Sequence, residues 1–366
     1  MSADNYPQRL RKLQTVARKR SLEGIILVPG PNLRYFTGVH SMLLERPFLL
    51  FIPQKGNPRL VAPTLESGPY QRTQFKIDVS SWTDNEGPTK ALRTAIDALG
   101  LRGKWGVEGR TPFRFIDQLM KFAKPELTNA EDDIQNIREI KDDEEIACLK
   151  RSATILSKAF ADIPSLIKLG MKESELAGRL AQAIRANGAD NVDDILVQAG
   201  TSSMDPHHIA SSRRIRRKES IVVDAGSTCS GYYADITRTF IVGVNDEFER
   251  VYWKVLDAQI AAINASKNGV ATGAVDAAAR DILRDNHLDR YFIHRTGHGL
   301  GLEVHEAPYI VEGGTEKLEA RMVYTVEPGV YIPSKMGIRI EDDILVTERD
   351  PTILTKTLPK EYGWWK

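Results

Sequence analysis

Only two cysteines, Cys148 and Cys229, occur in the 366 residues, far apart and with no neighbouring Cys at zinc-finger or redox spacing. Neither a disulfide framework nor a thiolate metal site can organise the fold. An excess of charge is missing too: 50 Lys+Arg stand against 49 Asp+Glu, a formal net charge of +1. That balance supplies no global field for steering nucleic acid or anionic lipid, so neither is expected as a partner. No stretch approaches the ~20 apolar residues of a bilayer span, and the N-terminal MSADNYPQRLRKLQ has no apolar core of a secretory signal. A cytoplasmic protein without a membrane partner is the expectation. Internal repeats and low-complexity tracts are also absent, which leaves out solenoids and disordered arrays.

What is present is ordinary globular composition, 42% hydrophobic and 27% charged, in a chain long enough for two domains. Residues 1–135 alternate short apolar runs (Ile25 to Val28, Phe48 to Ile52, Leu60 to Ala62) with helical spacing at Leu10 to Arg20 and Pro112 to Phe122. Such alternation predicts a small mixed α/β domain. Its Gly and Pro clusters punctuate loops and form no phosphate-binding pattern. The charged stretch NAEDDIQNIREIKDDEE then precedes Ile146, Leu149, Ala153, Leu156, Phe160 and Ile163 at helical steps, so a second domain, 136–366, starts there. Another helix is expected from Glu173 to Asn187-Gly188, followed by strands interrupted by helical blocks near 246–266 and 274–286. The basic cluster Arg213 to Lys218 lacks interleaved aromatics and reads as an exposed loop.

The chemistry-bearing residues concentrate in the second domain. Five of the seven histidines fall in two loop-like segments, His207 and His208 in DPHH and His294, His298 and His305 in HRTGHGLGLEVHE. That clustering favours ligands or acid/base groups over scattered surface histidines. Asp224 ends the apolar run Ile221–Val223, and Asp235 shares a strand face with Tyr233, Thr237 and Thr239. Glu327 closes MVYTVEPG, and Glu341 follows Arg339 on the same face of GIRIEDDILV. A carboxylate in such apolar surroundings needs a cation or a proton. Four of them with an imidazole make an oxygen-rich set suited to two divalent ions of the Mn²⁺, Co²⁺, Fe²⁺ or Zn²⁺ type rather than a tetrahedral structural zinc. Salt bridges to Arg238, Arg295, Arg321 and Arg339 are the bland alternative.

The segments DAGSTCSGYYADITRTF, HRTGHGLGLEVHE, VEPGVY and RIED resemble those of the pita-bread metallopeptidases, which include prolidase, aminopeptidase P and methionine aminopeptidase. The similarity covers about 220 C-terminal residues, and the preceding domain resembles that of the prolidase and aminopeptidase P branch, which methionine aminopeptidases lack. The resemblance implies a small α/β N-terminal domain followed by a C-terminal pita-bread, creatinase/aminopeptidase-like domain. It also implies that Asp224 chelates one metal, that Asp235 and Glu341 bridge two, and that His298 and Glu327 complete the second. The metals, Mn²⁺ or Co²⁺ first and Zn²⁺ or Fe²⁺ next, would share a hydroxide that attacks the scissile carbonyl, with Glu327 as proton shuttle. By the same likeness His207 and His305 are catalytic and substrate-contacting. Arg339 holds the acidic ligands and borders the substrate, while His208 and His294 are read as structural.

The implied activity is hydrolysis of the Xaa-Pro bond in a small peptide with proline at its second position, most simply by an Xaa-Pro dipeptidase. The alternatives are an Xaa-Pro aminopeptidase acting on longer peptides and a metal-free, non-peptidase homologue. A homodimer is expected, because YFTGVHSMLLERP resembles the loop that reaches the partner subunit's site in prolidase dimers. Two departures stand out. Arg321-Met322 replaces the Gly-Met of many relatives, and Tyr309 stands where some prolidases place an arginine for the dipeptide's carboxylate.

Overall fold

The computed structural model describes residues 5–365, and the chain divides after Arg138 into two compact units. The division falls inside the charged stretch, whose residues Glu131–Arg138 form a helix.

The first unit is a six-stranded sheet of β1 (Gly24–Leu27), β2 (Leu49–Pro53), β3 (Arg59–Pro63), β4 (Asp78–Trp82), β5 (Lys104–Val107) and β6 (Glu126–Asn129), ordered β4-β3-β2-β1-β5-β6. β2 runs antiparallel to both its neighbours, and the remaining pairs are parallel. Central strands covered on both faces must be apolar throughout, and GIIL of β1 is buried at all four positions. Gly24 admits β2 and Trp105 so closely that a Cβ there would lie 2.5 Å from the Ile52 carbonyl oxygen.

The second unit starts with the expected helix, Asp143–Ala161, closed at its N-terminus by reciprocal bonds between the Asp142 and Glu145 side chains and backbones, each 2.9 Å. Its apolar stripe and that of Glu173–Ala186 cover an antiparallel sheet of β7 (Asn191–Ala199), β8 (Ser220–Cys229) and β9 (Tyr232–Ile241). Ser230 and Gly231 join β8 to β9 with φ of 54° and 77°, the left-handed pair that a two-residue hairpin requires.

A second core repeats this plan. The helices Asp246–Ala265 and Thr272–Asp285 pack with β10 (Gly297–Gly299), β11 (Glu306–Ile310), β12 (Val323–Val326), β13 (Gly329–Ile332), β14 (Met336–Arg339), β15 (Asp342–Leu345) and β16 (Thr352–Ile353). The larger sheet runs β11-β10-β12-β15-β16, and β13 pairs with β14. Two helix-covered halves, one on a three-stranded sheet and one on a five-stranded sheet with the β13–β14 pair, thus share one unit, the pita-bread arrangement that the resemblance implies. No helix among the described residues is long and apolar enough to cross a membrane.

Candidate active site

Each half of the second unit contributes acids to one cavity of about 750 Å³. From the first half, Asp224 and Asp235 face it from adjacent strands, in a register that pairs Asp224 with Thr237 and Gly226 with Asp235. The second half supplies His298 at the centre of β10, Glu327 just past β12, and Glu341 between β14 and β15. β10 can sit between its neighbours only because it reads Gly-His-Gly: a Cβ on Gly297 would lie 1.8 Å from the Thr325 carbonyl oxygen, and one on Gly299 2.1 Å from that of Ala307.

Ligand atoms of Asp235, His298 and Glu341, all buried, lie within 4.8 Å of one another. Glu327 approaches the same cluster, its Oε1 lying 3.3 Å from His298 Nε2. Asp224 accepts a hydrogen bond from Arg339 Nη2. The same guanidinium donates to Thr237 Oγ1 at 3.1 Å and to the Tyr331 hydroxyl at 2.7 Å, while Thr237 in turn donates to Glu341 Oε2 at 2.6 Å. Behind this layer, the Asp343 carboxylate accepts the Asp235 N–H at 3.3 Å. Asp342 is gripped by Arg238 at 2.7 Å and Lys360 at 2.8 Å. Burial opposes ionisation of Asp342, but those two cations outweigh it and hold the carboxyl well below the usual range.

The cavity acids behave oppositely. Burial, then the neighbouring charges of Asp224, Asp343 and Glu327, pushes Asp235 well above an ordinary aspartate. Burial, then Asp235, Glu327 and Asp224, does the same to Glu341. Glu327 rises to about 7, again through burial first, with Arg339 pulling against Asp224. Imidazole basicity is depressed, since burial and then His305 hold His298 well below an ordinary histidine. Without a cation the site therefore favours protonated Asp235, Glu327 and Glu341 and a neutral His298 ring.

This donor set fits divalent cations. Four carboxylates against one guanidinium leave a charge of about −3, which one dication does not cancel and two bring to about +1. Neutral imidazole, with Nδ1 3.1 Å from the Gly299 carbonyl oxygen, turns Nε2 toward the acids as a ligand requires.

His207 and His305 also line the cavity, both exposed at its wall, and the His305 ring centroid lies 3.9 Å from that of His298. His208 lies outside it, with Nε2 3.2 Å from Glu173 Oε2. His294 lines the cavity yet spends both ring nitrogens on the protein, Nδ1 on the Arg295 carbonyl at 2.8 Å and Nε2 on the Tyr331 hydroxyl at 2.9 Å. Burial, then Arg339, lowers its pKa to about 3. Of the four arginines weighed as salt-bridge partners for the acids, only Arg339 is so used. Arg238 serves Asp342, Arg321 serves Asp143 and Arg295 lies over the Tyr309 ring.

Sequence reasoning passed over Tyr331, whose hydroxyl burial pushes up to about 12, and Asp193, which lines the cavity from β7 and accepts from the Tyr233 hydroxyl at 2.8 Å. Tyr331 was findable as the polar-tipped residue two positions into the buried strand after VEPG, whereas Asp193 carries no local signal.

Buried acids and an imidazole converging on one cavity define a metal-dependent enzyme. Residues 147–348 match Metallopeptidase family M24, and residues 9–140 match the Creatinase/Prolidase N-terminal domain. The chain belongs to metallopeptidase family M24 and is a metallopeptidase. It is 34% identical over 364 residues to the probable dipeptidase PepE of Mycobacterium bovis, covering 98% of this chain and 96% of that one. It is 33% identical to the Xaa-Pro dipeptidase of Pyrococcus horikoshii, with 97% and 98% covered. Among solved structures, a recombinant prolidase from Thermococcus sibiricus superposes with a TM-score of 0.90 at 36% identity, covering 97% of this chain and 98% of the other.

Proposed function

We propose that the protein is an Xaa-Pro dipeptidase that works with two divalent cations. The observation that carries this reading is the convergence of Asp224, Asp235, His298, Glu327 and Glu341 on one cavity, in a chain similar over nearly its whole length to proteins so named. Asp224, Asp235, His298, Glu327 and Glu341 would hold the ions, and Mn²⁺ or Co²⁺ suits the set best. Bound there, the ions supply Lewis acidity and lower the pKa of water.

The remaining work falls to the chain. A proline nitrogen leaves as a secondary amine and must gain a proton. Glu327, at the edge of the cluster with Oε1 3.3 Å from His298 Nε2, would take a proton from water and return it to that nitrogen. His207 and His305, which line the cavity, would donate to the oxyanion of the tetrahedral intermediate. Arg339 holds Asp224 and, through Thr237, Glu341 at the cavity's edge. The exposed side chains Ile209 and Ile293 give the mouth an apolar lining suited to a proline ring and a neutral Xaa side chain. We further propose a homodimer in which residues 38–47, with Met42, Leu43 and Leu44 exposed, meet the partner subunit.

The test is hydrolysis of Leu-Pro by Mn²⁺-loaded protein beside Leu-Pro-Pro. Faster cleavage of the dipeptide supports the reading. Equal or faster cleavage of the tripeptide moves the assignment to an Xaa-Pro aminopeptidase, and inertness toward both overturns it.

A further inference from the structure

We propose that Arg295 is the specificity-determining residue that binds the C-terminal carboxylate of the dipeptide. This rests on the dipeptidase reading above. A substrate carboxylate drawn into a cavity that five acids already line must meet a cation with unspent donors, or it is repelled.

The cations at the wall are Arg295 and Arg339, and they differ in what they have left to offer. Arg339 is committed to Asp224, Thr237 and Tyr331. Arg295 makes no side-chain hydrogen bond or ion pair among the described residues. Its guanidinium lies over the Tyr309 ring, 4.6 Å from the centroid. Stacking occupies the face of a guanidinium and leaves its in-plane N–H edge free, and that edge is the one a carboxylate engages bidentately.

Placement also favours the role. Tyr309 is the cross-strand partner of His298 in the β10–β11 ladder, so the stacked guanidinium stands beside the proposed metal cluster at a neighbouring wall position. The backbone that carries it is fixed on both sides. Arg280 Nη2 donates to the His294 carbonyl at 2.7 Å, and Thr296 donates through its hydroxyl to Asp276 at 2.7 Å. A cation held in this way loses little freedom on binding its anion. Two further arginines are engaged elsewhere: Arg321 bonds the Lys141 carbonyl and Asp143, and Arg46 bonds Asp84 through two contacts of 3.0 Å. Tyr309, occupying the position of an arginine in some prolidases, thus serves as the platform for an arginine supplied from β10's approach.

The experiment compares kcat/KM for Leu-Pro and Leu-Pro-amide in the Mn²⁺-loaded wild type, Arg295→Met and Arg295→Lys, with calorimetric binding of proline and prolinamide alongside. The wild type should prefer the free acid by at least about 10-fold, the least a charge-assisted bond gives. In Arg295→Met that preference should vanish, with KM for Leu-Pro rising far more than that for the amide and proline binding no better than prolinamide. Arg295→Lys should recover part of it. Retention of the wild-type ratio in Arg295→Met, or a parallel fall on both substrates, overturns the proposal and leaves Xaa-Pro cleavage standing; so does a wild type indifferent to the free carboxylate. Inertness of the wild type toward both substrates overturns the dipeptidase reading itself, and this inference with it.

Discussion

Arg339 and Thr237 show how single side chains set the charge of the cavity. Thr237 Oγ1 accepts from Arg339 Nε and donates to Glu341, so one hydroxyl couples the cation to an acid. Replacing Thr237 with valine leaves a buried donor and a buried acceptor unpaired, a cost of about 1–3 kcal/mol. Weakened Mn²⁺ affinity with little loss of secondary structure is the expected outcome, read by calorimetric titration and circular dichroism. A contrast between two other residues separates ligand from donor. Glu327→Gln should lose metal and turnover together, whereas His207→Ala should keep its metal and lose about 10²–10³ in kcat. Elemental analysis of both variants decides, and a metal-free His207→Ala would reassign that residue as a ligand. At this scale the sequence was informative where chemistry and strand pattern coincide: Asp224, Asp235, His298, Glu327 and Glu341 all reach one cavity. It was silent on which arginine meets which acid, because pairing across β8, β9 and β14 depends on register.

Among the elements, β10 carries the heaviest constraint. Its two glycines let His298 pass between β11 and β12, and Gly297→Ala would force a Cβ against the Thr325 carbonyl. Overpacking of this kind costs about 1–3 kcal/mol and should displace His298, so thermal denaturation and Mn²⁺ titration should both register it. An unchanged melting temperature with full metal binding would contradict the role given to β10. The long elements were legible for a related reason. Helices Asp143–Ala161 and Glu173–Ala186 bury the stripes that their 3.6-residue period announces. β4 and β6, reading DVSSW and ELTN, gave no such signal: they are the polar edges of their sheet and acquire strand form only by pairing. Arg321 illustrates the remaining difficulty. Its φ of 79° lies where glycine is favoured, and its bonds to Lys141 and Asp143 hold it there.

Across the whole molecule, the acids link stability to pH and to metal. Asp235, Glu327 and Glu341 have raised pKa values in the cation-free fold, so at these three positions the folded chain binds more protons than the unfolded one, against the two histidines, His294 and His298, that burial holds neutral. Stability contributed by these protonated acids is full below their ordinary values and is lost as pH rises, for Glu327 between 4.5 and about 7. Chelated protein should therefore melt lower at pH 8 than at pH 5.5, and the rise in melting temperature on adding Mn²⁺ should be larger at pH 8. A rise independent of pH would mean that these acids do not hold the ion. The dimer is tested by sedimentation at micromolar concentration, where a fully active monomer would contradict it. The most direct measurement is titration of Mn²⁺ into chelated protein while Leu-Pro hydrolysis and bound metal are followed together. Turnover should be absent at the start and should reach its plateau at two bound ions per chain. Full turnover in protein shown by elemental analysis to be metal-free, or two bound ions with no cleavage of Leu-Pro, would contradict the assignment of this site.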